Sequence, residues 1–479
     1  MSIPAQAKAL VKPSDFSEAG AALVFVERER HSILWTDSAG WFRWDKKKWA
    51  RDEHGVMLAG MDYSKALLDD ALEEYRKNLT TDPNTGKITV PGPVMEYLKF
   101  SQRCRSANAI QNIAKLSKSS VHIPAAKLDP DPFALNCEAG IIDLRTGTIS
   151  PHDPARFCTM IAPFSPSSEG ADIWENFLDL VTENDSDLKR YLQEVTGMCA
   201  IGKIFQEGII LEVGPGRNGK SSFNNAVSRV MGDYAGSIDS SVLTTDRQNR
   251  GPALATLRGK RLVTCGELEE GQRLSVQTLK RLASTDSLTI EEKYRQPETI
   301  TPSHHIVLFS NFLPRVGSTD NGTWRRLNVI PFNAIMPSGN KDIPDYAAFL
   351  AEKAGGAILQ WIVEGAVRFC QNSFHITIPE VVRQATSNYR KEEDWLSNFL
   401  AERCFTDDPN ARIRGGELYS EYQDFARNTG EYCRRNNDFA KALEAAGFHK
   451  VTINGRAYWK GISIDYAQTY APPSRAKYY

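Results

Sequence analysis

Residues 209–222 read IILEVGPGRNGKSS, and this stretch decides the fold of the chain. An apolar, β-branched run leads directly into residues 214–221, which match the G-x-x-x-x-G-K-[ST] pattern of a phosphate-binding loop without a departure. Beyond the loop, apolar residues recur with helical spacing from Phe223 to Val230, and Gly232 provides a stop. The segment therefore predicts a buried strand, a phosphate loop and a helix, the arrangement that binds a nucleoside triphosphate.

The chemistry of the loop explains its residue types. Glycines at positions 214, 216 and 219 let the backbone wrap around a phosphate with its N–H groups pointing inward. Lys220 adds a mobile positive charge, and Ser221 offers a hydroxyl to Mg²⁺, a hard ion that takes few protein ligands. We therefore predict ATP and Mg²⁺ as ligands, with nucleotide-binding residues Gly214, Pro215, Gly216, Arg217, Asn218, Gly219, Lys220, Ser221 and Ser222.

The composition is that of an ordinary protein with enough apolar residues for several cores. The chain has 479 residues, of which 41% are hydrophobic, and this length predicts about three domains. No apolar run is as long as a membrane helix needs, and the N-terminus lacks a signal-peptide pattern. The eight cysteines include no C-x-x-C pair, which favours reduced thiols over a zinc site. We expect a cytoplasmic protein with no membrane partner.

The charge balance restricts how the chain can hold nucleic acid. Lys and Arg number 58 against 59 Asp and Glu, so the formal net charge is -1. No global positive field is available for non-specific binding, and any DNA site must be local. A ring that gathers a few basic side chains from each subunit into a channel would satisfy this constraint.

Four apolar segments of strand length punctuate the middle of the chain, at 208–213, 261–265, 305–310 and 327–332. Their order and spacing predict an α/β domain with a mainly parallel sheet. An N-terminal α+β region precedes it, and three helices with an Asn454-Gly455 hairpin near the C-terminus predict a winged-helix-like domain. The predicted domains are 1–165, 173–335 with a helical lead-in at 173–204, a helical extension at 336–391, and 392–479.

A tryptophan-rich segment near the N-terminus predicts a β-hairpin. Its sequence, ILWTDSAGWFRWDKKKW, contains Trp35, Trp41, Trp44 and Trp49 as candidate core or stacking residues. The three lysines at 46–48 fall at its predicted turn, which favours a solvated turn over a phosphate contact.

Carboxylates follow the second strand of the predicted core. Glu267 and Glu269 come just after the segment 261–265, at the strand end where a parallel sheet delivers side chains toward the phosphate loop. One can hold the water shell of the metal, and the other can polarise the attacking water. We assign Glu267 to Mg²⁺ and Glu269 to the water, with the two roles interchangeable. An exposed acidic turn is the alternative interpretation.

Polar residues also flank the third and fourth strands. Asn311 ends the third strand, where an amide can sense the terminal phosphate or orient water, although a plain turn residue is the alternative. Arg325 and Arg326 precede the fourth strand. A guanidinium is planar and always protonated, so it suits the charge of a transferring phosphoryl group, and surface salt bridges are the alternative.

These motifs carry a resemblance to a known family. In order, they are GPGRNGKSS, GKRLVTCGELEEGQRLSVQTLKRL, PSHHIVLFSNFLP and GTWRRLNVIPF, with the spacing found in superfamily 3 helicases. The chain is most similar to the phage and plasmid primase-helicases related to the poxvirus one, over about residues 205–332. The upstream segment DPDPFALNCEAGIIDLRTGTISPHDP also resembles the accessory domain that precedes the motor in that family.

The resemblance implies an AAA+ motor that forms a hexameric ring, hydrolyses ATP between subunits and moves along single-stranded DNA in the 3′ to 5′ direction. It makes Asn311 the sensor and Arg326 the finger that acts on a neighbouring subunit, with Arg325 as backup. The implied catalytic set is Lys220, Glu267, Glu269, Asn311, Arg325 and Arg326.

The resemblance also places a pore hairpin between the acidic strand and the sensor strand. In that interval Lys293, Tyr294 and Arg295 fall at the predicted tip as DNA-binding residues. Tyr294 departs from the histidine that small-virus relatives carry there. Cations for phosphates and an aromatic face for a base fit single-stranded DNA, and an exposed hairpin is the alternative.

The leading hypothesis is an ATP-dependent DNA helicase of a phage, plasmid or other mobile element, acting on single-stranded and forked DNA during replication. Because residues 1–165 show no clear metal-binding carboxylate cluster, we expect a stand-alone helicase and not a primase, with a separate primase or initiator as its partner. A replication initiator that binds duplex through the C-terminal domain is the alternative. A small-substrate kinase would leave Asn311 and the paired arginines unexplained.

Overall fold

The computed structural model of the chain describes residues 10–81, 83–84, 86–244, 254, 256–290, 298–316, 321–336, 343–429 and 432–465. Its first part combines a helical layer with small antiparallel sheets. The helices are α1 (Glu18–Arg28), α2 (Glu53–Lys77), α3 (Gly92–Arg103) and α4 (Ala107–Ser117). The sheets are β1 (Ile33–Thr36), β2 (Gly40–Trp44) and β3 (Trp49–Arg51); β4 (Thr80–Thr81) and β5 (Ile88–Thr89); and β6 (Ala134–Cys137), β7 (Gly140–Asp143) and β8 (Thr148–Ser150).

The predicted tryptophan hairpin is present as β1–β3. Trp35 pairs with Trp41 and Trp44 with Trp49 across the strands, and Trp41 and Trp49 are buried. Burial of these large rings stabilises the small sheet, so at least these two are core residues. At the turn, Lys47 pairs with Glu138 and Lys48 with Asp233, so these two lysines join the hairpin to other parts of the chain.

The centre of the molecule is a five-stranded parallel sheet, which confirms the predicted parallel sheet and adds one strand to the four predicted. Its strands are β9 (Ile209–Val213), β10 (Ala235–Ile238), β11 (Leu262–Cys265), β14 (His305–Ser310) and β15 (Leu327–Pro331), in the order β10-β11-β14-β9-β15. A separate hairpin of β12 (Leu288–Ile290) and β13 (Glu298–Ile300) lies between β11 and β14 in sequence. Sequence reasoning missed β10 because this short edge strand contains Gly236 and Ser237 and has no apolar run.

The sheet is buried on both faces, which explains why its strands read as continuous apolar runs. Ile210, Val307 and Ile330 belong to one core, and Ile209, Ile306 and Val329 belong to the other. This alternation follows from the two-residue period of a strand. The helices of this part are α5 (Ala171–Val181), α6 (Ser186–Ala200), α7 (Lys220–Met231), α8 (Val276–Leu282), α9 (Asn321–Trp324), α10 (Tyr346–Gln371) and α11 (Glu380–Glu392).

Two glycines let α6 and α10 cross closely. A Cβ atom on Gly197 would lie 2.1 Å from the backbone nitrogen of Ala366, and one on Gly365 would lie 2.1 Å from the carbonyl oxygen of Gln193. No larger residue fits either position without separating the helices. The close crossing covers one face of the sheet and holds the helix after the phosphate loop in place.

The C-terminal part is a small unit with its own core, which includes Trp395, Phe399, Tyr422 and Trp459. In chain order it contains α12 (Trp395–Arg403), β16 (Cys404–Phe405), β17 (Arg412–Arg414), α13 (Gly415–Thr429), α14 (Asn436–Ala445), β18 (His449–Ile453), β19 (Arg456–Lys460) and β20 (Ser463–Ile464). Strands pair in the order β17-β19-β18. The predicted hairpin turn is present, and both of its residues have positive φ, 49° at Asn454 and 74° at Gly455.

Within the described residues, every helix is too short or too polar to cross a lipid bilayer.

Candidate nucleotide site

The phosphate loop lies at the carboxyl edge of the central sheet, between β9 and α7. Parallel pairing puts Val213, the last residue of β9, beside Ser310 of β14 and Pro331 of β15. The loop, Asn311 and the end of β15 therefore share one edge. Arg217 and Gly219 have φ values of 64° and 88°, and these left-handed positions turn the chain back into α7.

The three loop glycines have different reasons to be glycine. A Cβ on Gly214 would lie 1.9 Å from the carbonyl oxygen of Phe332, and one on Gly219 would lie 2.5 Å from Val181 Cγ1. A Cβ on Gly216 would meet no atom within 4 Å among the described residues. Packing thus explains Gly214 and Gly219. The space over Gly216 fits a bound phosphate group that approaches the backbone closely.

Lys220 is the centre of the site's hydrogen bonding. The residue is 4% exposed, and its Nζ donates to the carbonyl oxygen of Gly214 at 2.8 Å and to Asn218 Oδ1 at 2.9 Å. Asn311 Oδ1 lies 3.4 Å from the same nitrogen. Burial lowers the pKa of Lys220, and the carboxylates of Glu212 and Glu267 oppose that change. Lys220 and Asn311, which were predicted as the phosphate-binding lysine and the sensor, therefore lie in contact within one chain.

The sequence analysis did not identify a buried carboxyl group that lies beneath the loop. Glu212 is 3% exposed on β9, and burial raises its pKa to about 8 despite a hydrogen bond from Asn224 and the charge of Lys220. Asn224 Nδ2 also donates to the carbonyl oxygen of Lys220 at 3.1 Å. A carboxyl residue inside the apolar run IILEV was the available signal, and Asn224 one helical turn after Lys220 was its counterpart.

The predicted acidic residues follow β11 at the same edge. Cys265 pairs with Leu308, so Glu267 comes level with Ser310, and the Leu268 nitrogen donates to Ser310 Oγ at 3.4 Å. Glu267 and Glu269 are both exposed, while Leu268 between them is buried. Of the two carboxylates, Glu267 affects the pKa of Lys220.

These residues fit a magnesium-bound nucleotide. Ser221 is exposed on the first turn of α7, and Glu267 is exposed after β11, which β14 separates from β9 in the sheet. Mg²⁺ in such sites is held by one or two protein oxygens, by substrate phosphates and by water. Among the described residues there is no cluster of three or more His, Cys, Asp or Glu that could hold a metal alone.

The two predicted arginines lie at the opposite edge of the sheet, where the parallel strands begin. We call this the amino edge. Leu327 of β15 pairs with Ile209, so Arg326 precedes the strand and the loop follows the neighbouring one. Five residues of strand separate these edges, about 16 Å at the usual rise. Arg326 is held by Glu207 and by the Gly322 carbonyl at 2.8 Å, with a side chain only 13% exposed. Arg325 is 68% exposed, with its Nη2 3.9 Å from Glu207 Oε2.

The remaining predicted site residues fall into two groups. Lys293, Tyr294 and Arg295 lie outside the described residues. Pro215, Gly216, Arg217 and Ser221 are exposed in and after the loop, whereas Asn218 is buried and donates to the Phe332 carbonyl at 2.7 Å.

The sheet and the loop define an α/β protein of the phosphate-loop class, and two family models match its chain. One, described as D5 N terminal like, covers residues 22–183, and the other, a family of unknown function (DUF5906), covers residues 213–326. The second match includes the loop, both acidic residues, Asn311 and both arginines. The chain therefore carries two regions that occur in phage and viral primase-helicases, and that resemblance is confirmed.

Curated relatives of the chain come from large DNA viruses. It is 24% identical over 325 residues to "Putative helicase L207/L206" of Acanthamoeba polyphaga mimivirus, covering 63% of this chain and 34% of that protein. It is 24% identical over 300 residues to "Putative helicase 022R" of Frog virus 3, covering 58% and 30%. It is 26% identical over 301 residues to "Putative primase C962R" of African swine fever virus, covering 58% and 31%. The matched part is thus about a third of each relative's length.

Among solved structures, the apo C-terminal region of NrS-1 matches 75% of this chain and 91% of that one, with 13% identity and a TM-score of 0.40.

Proposed function

We propose that the chain is the ATP-driven motor of a DNA helicase from a phage, plasmid or mobile element, with an AAA+ core. One observation carries the proposal. The phosphate loop and the exposed Arg325 lie at opposite edges of one parallel sheet. A chain built in this way completes its nucleotide site only when a second copy presents its arginine edge to the loop. Closed assembly by such head-to-tail contacts produces a ring.

The chemistry at the loop edge follows from the residues that meet there. Lys220 would bind the β- and γ-phosphate oxygens in place of the loop oxygens that it now contacts. Ser221 and Glu267 would hold Mg²⁺, which supplies charge neutralisation of the phosphates when bound. Glu269 would polarise the attacking water, and Asn311 would orient it or sense the γ-phosphate. Glu267 and Glu269 remain interchangeable in these two roles.

The rest of the proposal depends on the family resemblance. It makes Arg326 the finger, with Arg325 as backup, the ring a hexamer and the translocation 3′ to 5′ on single-stranded or forked DNA. Lys293, Tyr294 and Arg295 would contact that DNA in the pore. Replication in the host cytoplasm would then need a separate primase or initiator partner.

A second function, origin recognition by the C-terminal unit, has one observation in its favour. A winged helix has the order helix, strand, two helices and hairpin. The order α12, β17, α13, α14 and the β18–β19 hairpin, with strands paired β17-β19-β18, supports this proposal for the C-terminal unit. Lys441 on the second of those two helices and Arg456 on the hairpin are exposed, as DNA contacts must be. Asp438 and Glu444 share the helix with Lys441 and weaken the case for tight binding.

ATP hydrolysis with and without single-stranded DNA tests the motor. The intact chain is compared with Lys220→Ala, Arg326→Ala and an equimolar mixture of the two variants. We expect DNA-stimulated turnover that each substitution removes and the mixture partly restores, because a mixed interface combines one intact loop with one intact arginine edge. Turnover that ignores both DNA and Arg326 would leave a nucleotide-binding protein and contradict the helicase proposal.

Footprinting on duplex DNA tests the second function. If the C-terminal unit recognises an origin, the full chain protects a defined sequence, and Lys441→Ala with Arg456→Ala removes the protection. Protection without sequence preference would refute origin recognition and leave the motor proposal intact.

A further inference from the structure

Helix α11 carries two distinct faces. Val382, Ala385 and Tyr389 pack into the cores of the central sheet. Residues 383, 386, 387 and 390 follow the spacing i, i+3, i+4 and i+7, which places them together on another face of the helix. Their side chains are Arg, Thr, Ser and Arg, so a polar, basic stripe runs beside the buried one.

This stripe forms one wall of a cavity of about 470 Å³ beside Arg325. The other walls come from α9 and β15, and the cavity is of a size that admits a small ligand. The described residues that line it are Asn321, Trp324, Arg325, Asn328, Ile378, Arg383, Thr386, Ser387 and Arg390. Three are arginines and none is acidic. The cavity therefore favours a strongly anionic group.

The guanidinium groups of Arg325, Arg383 and Arg390 are oriented by contacts that use only some of their N–H donors. Arg390 Nη2 donates to Asn321 Oδ1 at 2.5 Å, and Arg383 Nη2 donates to the Ile378 carbonyl at 3.0 Å. The ion pair of Arg383 with Glu380 is 3.3 Å long, and both side chains are mostly exposed. Each guanidinium has five N–H donors, so these contacts use only part of its capacity. Exposed ion pairs of this kind are weak and exchange readily for a phosphate.

Helix α11 is also fixed firmly enough to position such a site. Thr386 Oγ1 accepts a hydrogen bond from the Val329 nitrogen at 3.0 Å, which ties the helix to the edge strand β15. Tyr389 donates to the Pro314 carbonyl, and its ring packs edge-on against Trp324. The stripe and Arg325 are thus held beside the same edge strand.

We propose that this cavity receives the triphosphate bound at the phosphate loop of a neighbouring copy, with Arg383 and Arg390 contacting its oxygens beside Arg325. The inference rests on the proposed motor and adds two residues to its shared site. Three cations match the charge of a nucleoside triphosphate, and the forked geometry of arginine suits its oxygens. The cavity lies at the amino edge of the sheet, away from the chain's own phosphate loop. Its ligand therefore comes from another copy.

The test is the double variant Arg383→Ala/Arg390→Ala, assayed for DNA-stimulated ATP turnover beside the wild type and Arg326→Ala. We expect turnover to fall by about 10- to 100-fold, because two charge-assisted contacts to the transferring group are lost. Binding of a fluorescent ATP analogue to the chain's own loop stays within a few-fold of wild type. Mixing the double variant with Lys220→Ala restores turnover in part.

Two controls separate this result from unfolding or simple charge loss. Lys391→Ala removes one exposed charge from the same helix outside the cavity, and it keeps wild-type turnover. Arg383→Lys/Arg390→Lys keeps the charge without the fork and retains an intermediate rate. Circular dichroism and the midpoint of thermal unfolding establish that each variant folds.

The outcomes distinguish the two levels of the proposal. If the wild type and the Lys220→Ala with Arg326→Ala mixture behave as a shared-site motor but the double variant turns over normally, the cavity inference alone is overturned. It is equally overturned if the double variant loses salt-dependent DNA affinity while its DNA-independent turnover is unchanged, since the ligand is then a DNA phosphate. A wild type with no DNA-stimulated turnover overturns both proposals.

Discussion

The two edges of the central sheet differ in how complete they are within one chain. At the carboxyl edge, Lys220 already contacts both Asn218 and Asn311, and Asn224 joins Glu212 to the backbone of Lys220. At the amino edge, Arg325 points outward beside a cavity that contains no described acidic residue. One edge is thus organised by contacts within the chain, whereas the other presents an exposed guanidinium that, on the proposed function, a second copy brings to the nucleotide.

Arg326 shows the same contrast within a pair of adjacent residues. It is held by Glu207 and mostly covered, while Arg325 next to it remains exposed and lines the cavity. Family resemblance assigns the finger to Arg326, and this geometry gives Arg325 the freer guanidinium. Separate substitution of each arginine in the mixing experiment would distinguish their roles.

The largest expected effect comes from a substitution at the centre of the carboxyl edge. Lys220→Ala removes the cation that the loop is built around, and we expect ATP turnover to fall about 10³-fold. We expect only a small change in the free energy of unfolding, because burial lowers the pKa of Lys220 and so disfavours its charged form in the folded chain. Steady-state hydrolysis and chemical denaturation measure the two quantities. Lys353→Ala, an exposed lysine of α10, is the matched control. Retained turnover in Lys220→Ala would contradict the assignment of the loop.

The next effect separates the two carboxylates that follow β11. Glu267 influences Lys220 directly, whereas Glu269 lies one buried residue further along. We expect Glu267→Gln and Glu269→Gln each to lower ATP turnover by at least about 10²-fold, with the larger loss in Glu267→Gln. Hydrolysis rates at saturating ATP and Mg²⁺ measure the difference. A loss of less than about 10-fold in either variant would contradict the role proposed for that carboxylate, and the reverse order would exchange the two roles.

A smaller effect concerns stability at the amino edge. Burial lowers the pKa of His304 and of His305 at the start of β14 to about 4, from an ordinary 6.5. Between these values only the unfolded chain takes up the protons, so the free energy of unfolding falls as the pH drops. From pH 7 to pH 5 we expect a loss of about 2 kcal/mol per histidine. Urea denaturation at both pH values measures it.

The double variant His304→Gln/His305→Gln isolates this contribution. Its free energy of unfolding should decrease less between pH 7 and pH 5 than that of the wild type, because the two titrating groups are absent. Glu212 contributes the opposite slope, because its pKa of about 8 lies above the ordinary 4.5, and it is present in both proteins. An unchanged pH dependence would show that the histidines are not buried as neutral groups.

The smallest expected effect tests the open space over the loop. Gly216→Ala places a methyl group where no described atom lies within 4 Å, so the free energy of unfolding changes by less than about 0.5 kcal/mol. ATP affinity should still fall about tenfold, or about 1.4 kcal/mol, because the methyl group occupies the phosphate space. Calorimetric titration with ATP measures it. Gly219→Ala is the contrast, since its φ of 88° and the contact with Val181 make it destabilising without ligand. Unchanged affinity in Gly216→Ala would place the phosphate elsewhere.

Some elements could be predicted because their signals are local. The run IILEV, the loop after it and the helix that begins at Lys220 each follow from neighbouring residues, and so do the other three long strands of the sheet. The edge strand β10 was missed because its sequence, AGSI, lacks an apolar run and is a strand only by pairing with β11. The bond between Glu212 and Asn224 was missed because twelve residues separate the partners.

The sequence by itself determined the phosphate loop, the parallel character of the sheet and the acidic and amide residues at the strand ends, since each depends on spacing within a short segment. Tertiary structure alone decided that the arginines lie across the sheet from the loop, that Glu207 holds Arg326, and that α11 places Arg383 and Arg390 beside Arg325. The physical reason is that strand register and helix docking are set by packing between distant segments, and no local pattern records which side chains that packing brings together.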